Sequence, residues 1–263
     1  MTPDPRLDQD EWRTYDEFAA GIDTYRLPAE DLTGRRLRLT LDGGGRLDLR
    51  FHDAETVEWE RDAGPGSRDP YDAVAVRPDV HFVNVPLPAR RREALTLVWS
   101  GQTGRAVAVH SAIAAHPEPD VPQVGQRFCA GTVDGVAVSG PEPGPSRDLI
   151  GRRNVYRYSP SHLYEHVYLS GQRYAWQCLQ GVQRGHGDVD LSTVWRFDGG
   201  LYLFCFREFK IPVASVWLHD LGYQLMTTGI FLGLDGTGEV AHSRAGGYIY
   251  PLGSVTYPDI QPV

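Results

Sequence analysis

The sequence predicts an all-β protein built as two tandem antiparallel up-and-down β-barrels. Three observations carry that prediction: an internal repeat, short segments that alternate apolar with polar residues, and glycine-rich turns between them. The repeat shows first. Leu32-Thr33-Gly34-Arg35-Arg36 returns as Leu149-Ile150-Gly151-Arg152-Arg153, and Val57-Glu58-Trp59-Glu60 aligns with Tyr174-Ala175-Trp176-Gln177. Both pairs stand 117 residues apart (151 − 34 and 176 − 59), so the stretch between them needs no gap. Further on, Leu97-Val98-Trp99 and Gly104 pair with Ser215-Val216-Trp217 and Gly222 at 118 (222 − 104). That spacing predicts a one-residue insertion in a surface connection and a core tryptophan common to both copies.

The elements follow in order. A short helix is expected over 16–22. Residues 36–41 read R-L-R-L-T-L, Asp42-Gly43-Gly44-Gly45 turns the chain, and Leu47-Asp48-Leu49-Arg50-Phe51 returns, which is a hairpin. Strands are expected to continue at 56–60, 71–76, 80–85, 95–99 and 105–111. The second copy supplies 154–158, 163–169, 174–179, 191–197, 201–206, 213–219 and 224–232, with turns at Asp198-Gly199-Gly200 and Asp235-Gly236. So many strands with almost no helical period favour closed barrels, which leave no exposed edge. The domains are therefore expected at 1–115 and 146–263, joined by a Pro/Gly-rich linker over 116–145.

Composition narrows the function. The chain has 263 residues, room for two cores, and a net charge of −8 with its arginines scattered among acids, so a nucleic-acid partner is not expected. The start, residues 1–12, is proline-rich and acidic rather than leader-like, and no apolar run is long enough to cross a bilayer, which predicts a soluble cytoplasmic protein with no membrane partner. Cys129, Cys178 and Cys205 are odd in number and widely spaced, and read as small buried hydrophobes. His166, His186 and Asp188 lack a metal-ligand spacing, and the glycine-rich stretch 233–239 reads as a hairpin turn rather than a calcium loop.

The copies differ on their inward faces. In the first, alternation puts Leu37, Leu39, Leu41, Leu47, Leu49 and Phe51 inside, a barrel packed shut. The same parity in the second gives Asn154, Tyr156, Tyr158, Tyr164, His166 and Tyr168. Buried polar groups cost about 1 to 3 kcal/mol each when unsatisfied, so this set predicts a cavity with water or a ligand in it. Glu208 follows the apolar strand 201–206 and shares parity with Phe204 and Phe206; facing inward, it would lose solvation and become a general acid near neutral pH. The glycine-flanked loop around Arg184 and His186 is placed to reach a barrel mouth, and Tyr174 and Trp176 complete the lining.

Several of these segments resemble the MoaF family: Tyr164-Glu165-His166-Val167-Tyr168, then Tyr174-Ala175-Trp176-Gln177-Cys178-Leu179, then Leu201-Tyr202-Leu203-Phe204 with Arg207-Glu208. Residues 16–21 and 76–80 resemble the family's first half. The resemblance implies two tandem lipocalin-like (calycin) barrels. A more distant one covers the second barrel alone. Val155-Tyr156-Arg157-Tyr158 with Tyr164-Glu165-His166-Val167-Tyr168 is similar to the first hairpin of the phenolic acid decarboxylases, lipocalin-fold enzymes without a cofactor. That likeness implies Tyr156 and Tyr158 as the pair holding a substrate carboxylate and Glu208 as the catalytic carboxyl. Arg184 is the nearest candidate for the family's arginine, although the local sequence departs from the family's there.

The functional expectation is a cofactor-independent lyase or isomerase of secondary metabolism, acting on a small phenolic or conjugated carboxylic or carbonyl compound. Tyr156, Tyr158, Glu208, His166 and Arg184 are its catalytic candidates. Tyr164, Tyr168, Tyr174, Trp176, His186, Phe204 and Phe206 are its substrate-binding candidates, with no metal. The alternative is a non-catalytic small-molecule carrier or sensor, and a homodimer through the first barrel is a further possibility.

Overall fold

The computed structural model describes residues 13–263, so the acidic start at 1–12 lies outside the described residues. A short helix, α1 (Tyr15–Ala19), comes first, its turn closed by Glu17 accepting a hydrogen bond from the Thr14 backbone at 2.9 Å. Nine strands then form the first sheet: β1 (Arg36–Leu41), β2 (Arg46–Phe51), β3 (Thr56–Arg61), β4 (Ser67–Pro70), β5 (Asp72–Arg77), β6 (Val80–Pro86), β7 (Glu93–Ser100), β8 (Arg105–Ile113) and β9 (Val124–Val133). Their order is β4-β3-β2-β1-β9-β8-β7-β6-β5, and the two ends are successive strands joined through Tyr71, so the barrel is nearly closed.

The second sheet has β10 (Gly144–Pro145), β11 (Arg152–Ser159), β12 (His162–Tyr168), β13 (Arg173–Gln180), β14 (Gly187–Asp198), β15 (Leu201–Arg207), β16 (Val213–Asp220), β17 (Met226–Leu234) and β18 (Val240–Ser254). Here β14 pairs with both β13 and β15, and β18 returns to β11, so β11 to β18 close completely. The repeat has a backbone cause. Gly34 and Gly151 both adopt positive φ (79° and 84°), and each donates its N–H at 2.8 Å to the end of the returning strand, at Phe51 and Tyr168.

Three expectations need correction. The stretch 116–145 is not simply a linker, because β9 lies within it and pairs with both β1 and β8 to complete the first barrel. Its small residues, Gly125, Ala130 and Gly131, gave it no clear alternation; a side chain at Gly131 would meet the Thr40 carbonyl at 2.7 Å. Second, the tryptophan alignment shifts. Trp59 pairs with Ser67 and Trp176 with Asp188, eight and twelve residues on (67 − 59, 188 − 176), so four residues are added in the β13–β14 connection. From there Trp99, opposite His81 and Ala106, corresponds to His219, opposite Tyr202 and Thr227, and Leu97 corresponds to Trp217. Third, β4 and β18 were not anticipated.

The barrels pack through their outer faces. Val74, Phe82, Val98 and Val107 of the first meet Leu203, Val216, Leu218 and Ile230 of the second in one core. Arg77 forks onto buried Asp220 at 2.8 and 3.1 Å, pinning the two barrels with a charge-assisted pair. Despite its place in the chain, α1 lies on the second barrel, where Tyr15 and Phe18 touch Phe231.

Candidate functional site

Alternation along β11 and β12 aims Asn154, Tyr156, Tyr158, Tyr164, His166 and Tyr168 into the second barrel, all of them buried. They divide into two levels. Toward one end a polar chain fills the interior: Asn154 donates to the Tyr156 hydroxyl (3.2 Å), which shares a hydrogen bond with Tyr168 (2.6 Å). Tyr168 reaches His219 Nε2 (3.2 Å), and His219 Nδ1 meets Thr227 (2.7 Å). Phe204 packs across this chain, stacked on His219 and edge-on to Tyr168. The level is full, and burial holds the Tyr156 phenol up at about 12.

Toward the other end lies a cavity of about 40 Å³, room for ordered water and little more as it stands. Its walls are Tyr158, Tyr164, His166, Tyr174, Trp176, Gln183, Phe206, Glu208, Trp217 and Phe231, and Phe18 and Ile22 of the N-terminal segment line it as well. Tyr158 stacks on Trp217, and Tyr174 lies against Phe206. Tyr164 donates to Gln183 at 2.9 Å. Two buried nitrogens on the wall, His166 Nδ1 and Trp217 Nε1, have no hydrogen-bond partner. Unpaired buried polar atoms are costly, and these two offer a ligand a ready acceptor or donor.

Glu208 sits at the start of the β15–β16 connection, its backbone N–H fixed to the Val213 carbonyl at 3.1 Å. Burial first, then the charges of Asp190 and Asp188, raise its pKa well above the usual carboxylate range. Burial and the two neighbouring carboxylates thus favour its protonated, neutral form. Asp190 is pushed up to about 6 by burial, against a 2.8 Å hydrogen bond from Trp176 Nε1 that favours the ion. Asp188 pairs with Lys210 at 3.3 Å. His166, pushed down to about 3 by burial, is neutral and a poor base. Among the described residues no arginine or lysine lines the cavity.

The predicted residues are thus only partly brought together. Glu208, Tyr158, Tyr164, His166, Tyr174, Trp176 and Phe206 surround the cavity, whereas Tyr156, Tyr168 and Phe204 belong to the polar level. Arg184 is exposed and His186 half-exposed on the loop at 181–186, and neither lines the cavity. The carboxylate-holding set implied by the decarboxylase likeness is therefore not assembled: Tyr156 spends its hydroxyl on Tyr168, and no cation completes it. That loop contributes Gln183 instead, and the four-residue insertion beside it was the signal that would have found it. Asp190 was also missed, though its pairing repeats that of Asp69 with Trp59 (2.8 Å) in the first barrel. Among the described residues no group of His, Cys, Asp and Glu is arranged to hold a metal, and no helix is long and apolar enough to cross a membrane.

Comparison with known proteins gives the following. The family described as MoaF N-terminal domain matches residues 10–115, and that described as MoaF C-terminal domain matches residues 143–255. Protein MoaF from Klebsiella aerogenes is 35% identical over 242 residues, covering 88% of this chain and 86% of that protein. A crystal structure of a proposed beta-lactamase from Burkholderia vietnamiensis covers 41% of this chain and all of its own, at 13% identity and a TM-score of 0.36, a likeness too slight to bear on fold or activity.

Proposed function

The chain belongs to the MoaF family, and from that premise we propose that its C-terminal barrel is a cofactor-independent enzyme of small-molecule metabolism, with Glu208 as the acid that moves a proton on a neutral, conjugated carbonyl compound. One observation carries the reading: a single carboxyl, buried and held toward its neutral form, faces a cavity whose walls are mostly aromatic. A protonated carboxyl in a dry pocket is a competent general acid, and its proton transfer is worth about 10² to 10⁴ in rate. The same electrostatics choose between outcomes. With Asp190 and Asp188 nearby and no cation on the wall, a Glu208 carboxylate is unstable, so it takes a proton back from the substrate at once. Donation at one carbon and removal at another is a proton-shift isomerisation. Loss of CO₂ is the less favoured outcome, because the substrate carboxylate would meet no positive charge. Tyr158, Trp217 Nε1 and His166 Nδ1 would orient the oxygen of the substrate, and the aromatic walls its flat body.

Carriage without chemistry is a second reading, favoured by one observation: apart from Glu208, nothing on the wall changes charge near neutrality, since His166 and the tyrosines are held neutral by burial. The test incubates the full chain with small conjugated α,β-unsaturated ketones, their β,γ-isomers and hydroxycinnamic acids in deuterated water and follows double-bond migration, CO₂ loss and deuterium uptake by NMR. Glu208→Gln is expected to lower double-bond migration by about 10²-fold or more while ketone binding, read from tryptophan fluorescence, changes little. Equal turnover by the variant would sink the assignment, and tight binding with no conversion would establish the carrier.

A further inference from the structure

The first barrel is not shut. Its interior is packed with leucines over most of its depth, but at one mouth a cavity of about 550 Å³ opens among Leu41, Leu47, Trp59, Leu87, Leu95 and Ala108. By strand register this is the counterpart of the cavity beside Glu208: Leu41 corresponds to Tyr158, Leu47 to Tyr164, Trp59 to Trp176 and Ala108 to Gly229. Leu87 stands where the second barrel has Glu208, and both make the same backbone bond across the hairpin, to Glu93 and to Val213. A single 3-10 turn, Pro88–Arg90, brings Arg90 to this mouth, whereas Phe18 and Ile22 of the N-terminal segment line the other cavity.

The rim carries the charge that the second barrel lacks. Arg61, Arg90 and Arg127 line it with His110. Arg90 sits over the Trp59 ring at 5.7 Å and shares Glu93 (3.2 Å) with His110 (2.6 Å). Arg61 touches exposed Asp62 at 3.4 Å, and among the described residues no acidic side chain pairs with Arg127. An apolar floor under a ring of guanidinium groups suits a molecule with an apolar body and one anionic end, and the volume is that of ordinary small-ligand sites.

We propose that the open mouth of the first barrel is a second binding site, one that takes a small carboxylic acid with its apolar body against Leu47, Leu95 and Ala108 and its carboxylate among Arg61, Arg90 and Arg127. The site binds without chemistry, since no acid replaces Leu87. It is independent of the activity assigned to the second barrel.

Cys129 supplies the readout, because it lines this mouth and is half-buried while Cys178 and Cys205 are buried elsewhere. The full chain is alkylated with iodoacetamide in the presence of sodium 4-phenylbutyrate or of the neutral amide of the same acid, and labelling is resolved by peptide mass spectrometry. The carboxylate is expected to protect Cys129 several-fold in a saturable way, the amide far less. The double variant Arg90→Gln and Arg127→Gln is expected to raise the half-protecting concentration about tenfold, as loss of charge-assisted hydrogen bonds requires. Its melting temperature is measured alongside, and the single variant Arg127→Gln serves if the double one unfolds. No protection, equal protection by the amide, or unchanged protection in a folded variant overturns the proposal.

Discussion

The two barrels are one backbone plan filled in two ways. Where the first has Leu37, Leu39, Leu49, Phe51 and Trp99 inside, the second has Asn154, Tyr156, His166, Tyr168 and His219. The pleat fixes which positions face inward and says nothing about their chemistry, so a duplicated fold can keep one copy as packing and turn the other into a polar interior. What the copies share is as informative. A Trp indole donating to an Asp on the neighbouring strand occurs in both (Trp59 to Asp69, Trp176 to Asp190), so that pair belongs to the scaffold; Glu208, facing Leu87 in the comparison, belongs to the site.

The sharpest way to break the comparison is at Gly229. Ala108 stands there in the first barrel, but in the second an added Cβ would lie 2.4 Å from the Trp217 ring and 2.9 Å from the Val216 carbonyl. Gly229→Ala is expected to cost about 3 kcal/mol, the upper end for overpacking, because both the ring and the backbone behind it are fixed. The reverse change, Ala108→Gly, should cost about 1 kcal/mol. Urea denaturation of both variants measures the asymmetry; equal losses would mean that the two interiors are not packed differently at this level.

Acid should also separate the copies. His166 has its pKa lowered by burial from 6.5 to about 3, so the fold holds the neutral ring and the unfolded chain takes the proton more readily. Its contribution is present above the unfolded value and is lost as pH falls from 6.5 toward 3. At about pH 4.5 that loss is roughly 2 to 3 kcal/mol. Asp190 works the other way: its folded pKa, about 6 against 3.8, makes it stabilising below the lower value and progressively less so up to the higher one. His166→Leu, which copies Leu49, is therefore expected to raise the melting temperature at about pH 4.5 relative to wild type by more than it does at pH 7. An equal shift at both pH values would show that His166 does not titrate against burial.

How much of this was legible in the sequence follows from the same physics. Alternation and turn glycines reveal hairpins, and the inward faces of β1, β2, β11 and β12 were read correctly from them. The closing strands were not legible. In β9 and β18 small residues and glycines replace the apolar alternation, because neighbouring backbone approaches too closely for a side chain; at Gly247 a Cβ would meet the Arg157 carbonyl at 2.1 Å. Parity also says which side chains face in but not at what depth. Tyr156 and Tyr158 share a face and a strand, yet one belongs to a filled hydrogen-bond chain and the other to a cavity wall. The cap was illegible for a different reason, since Phe18 and Ile22 reach the second barrel from the far end of the chain, before the first barrel begins.

The smallest expected effect tests the division of labour most directly. Glu208→Leu gives the second barrel the residue of the first at the same point in the hairpin. A buried carboxyl is a cost unless it is fully satisfied, so replacing it with an apolar side chain is expected to stabilise the protein by about 1 to 2 kcal/mol at pH 7 while abolishing any proton transfer. The pH dependence gives the sign of the cause. Burial raises the folded pKa of Glu208, which makes the wild-type carboxyl least unfavourable in acid, below its unfolded value, and progressively more unfavourable as pH rises from that value toward the raised one. The gain from Glu208→Leu should therefore shrink as pH falls toward 4.5, the unperturbed value of the group. Thermal melts across that interval measure it. A variant that is less stable than wild type at every pH would make Glu208 part of the packing, and the contrast with Leu87 would then carry no functional meaning.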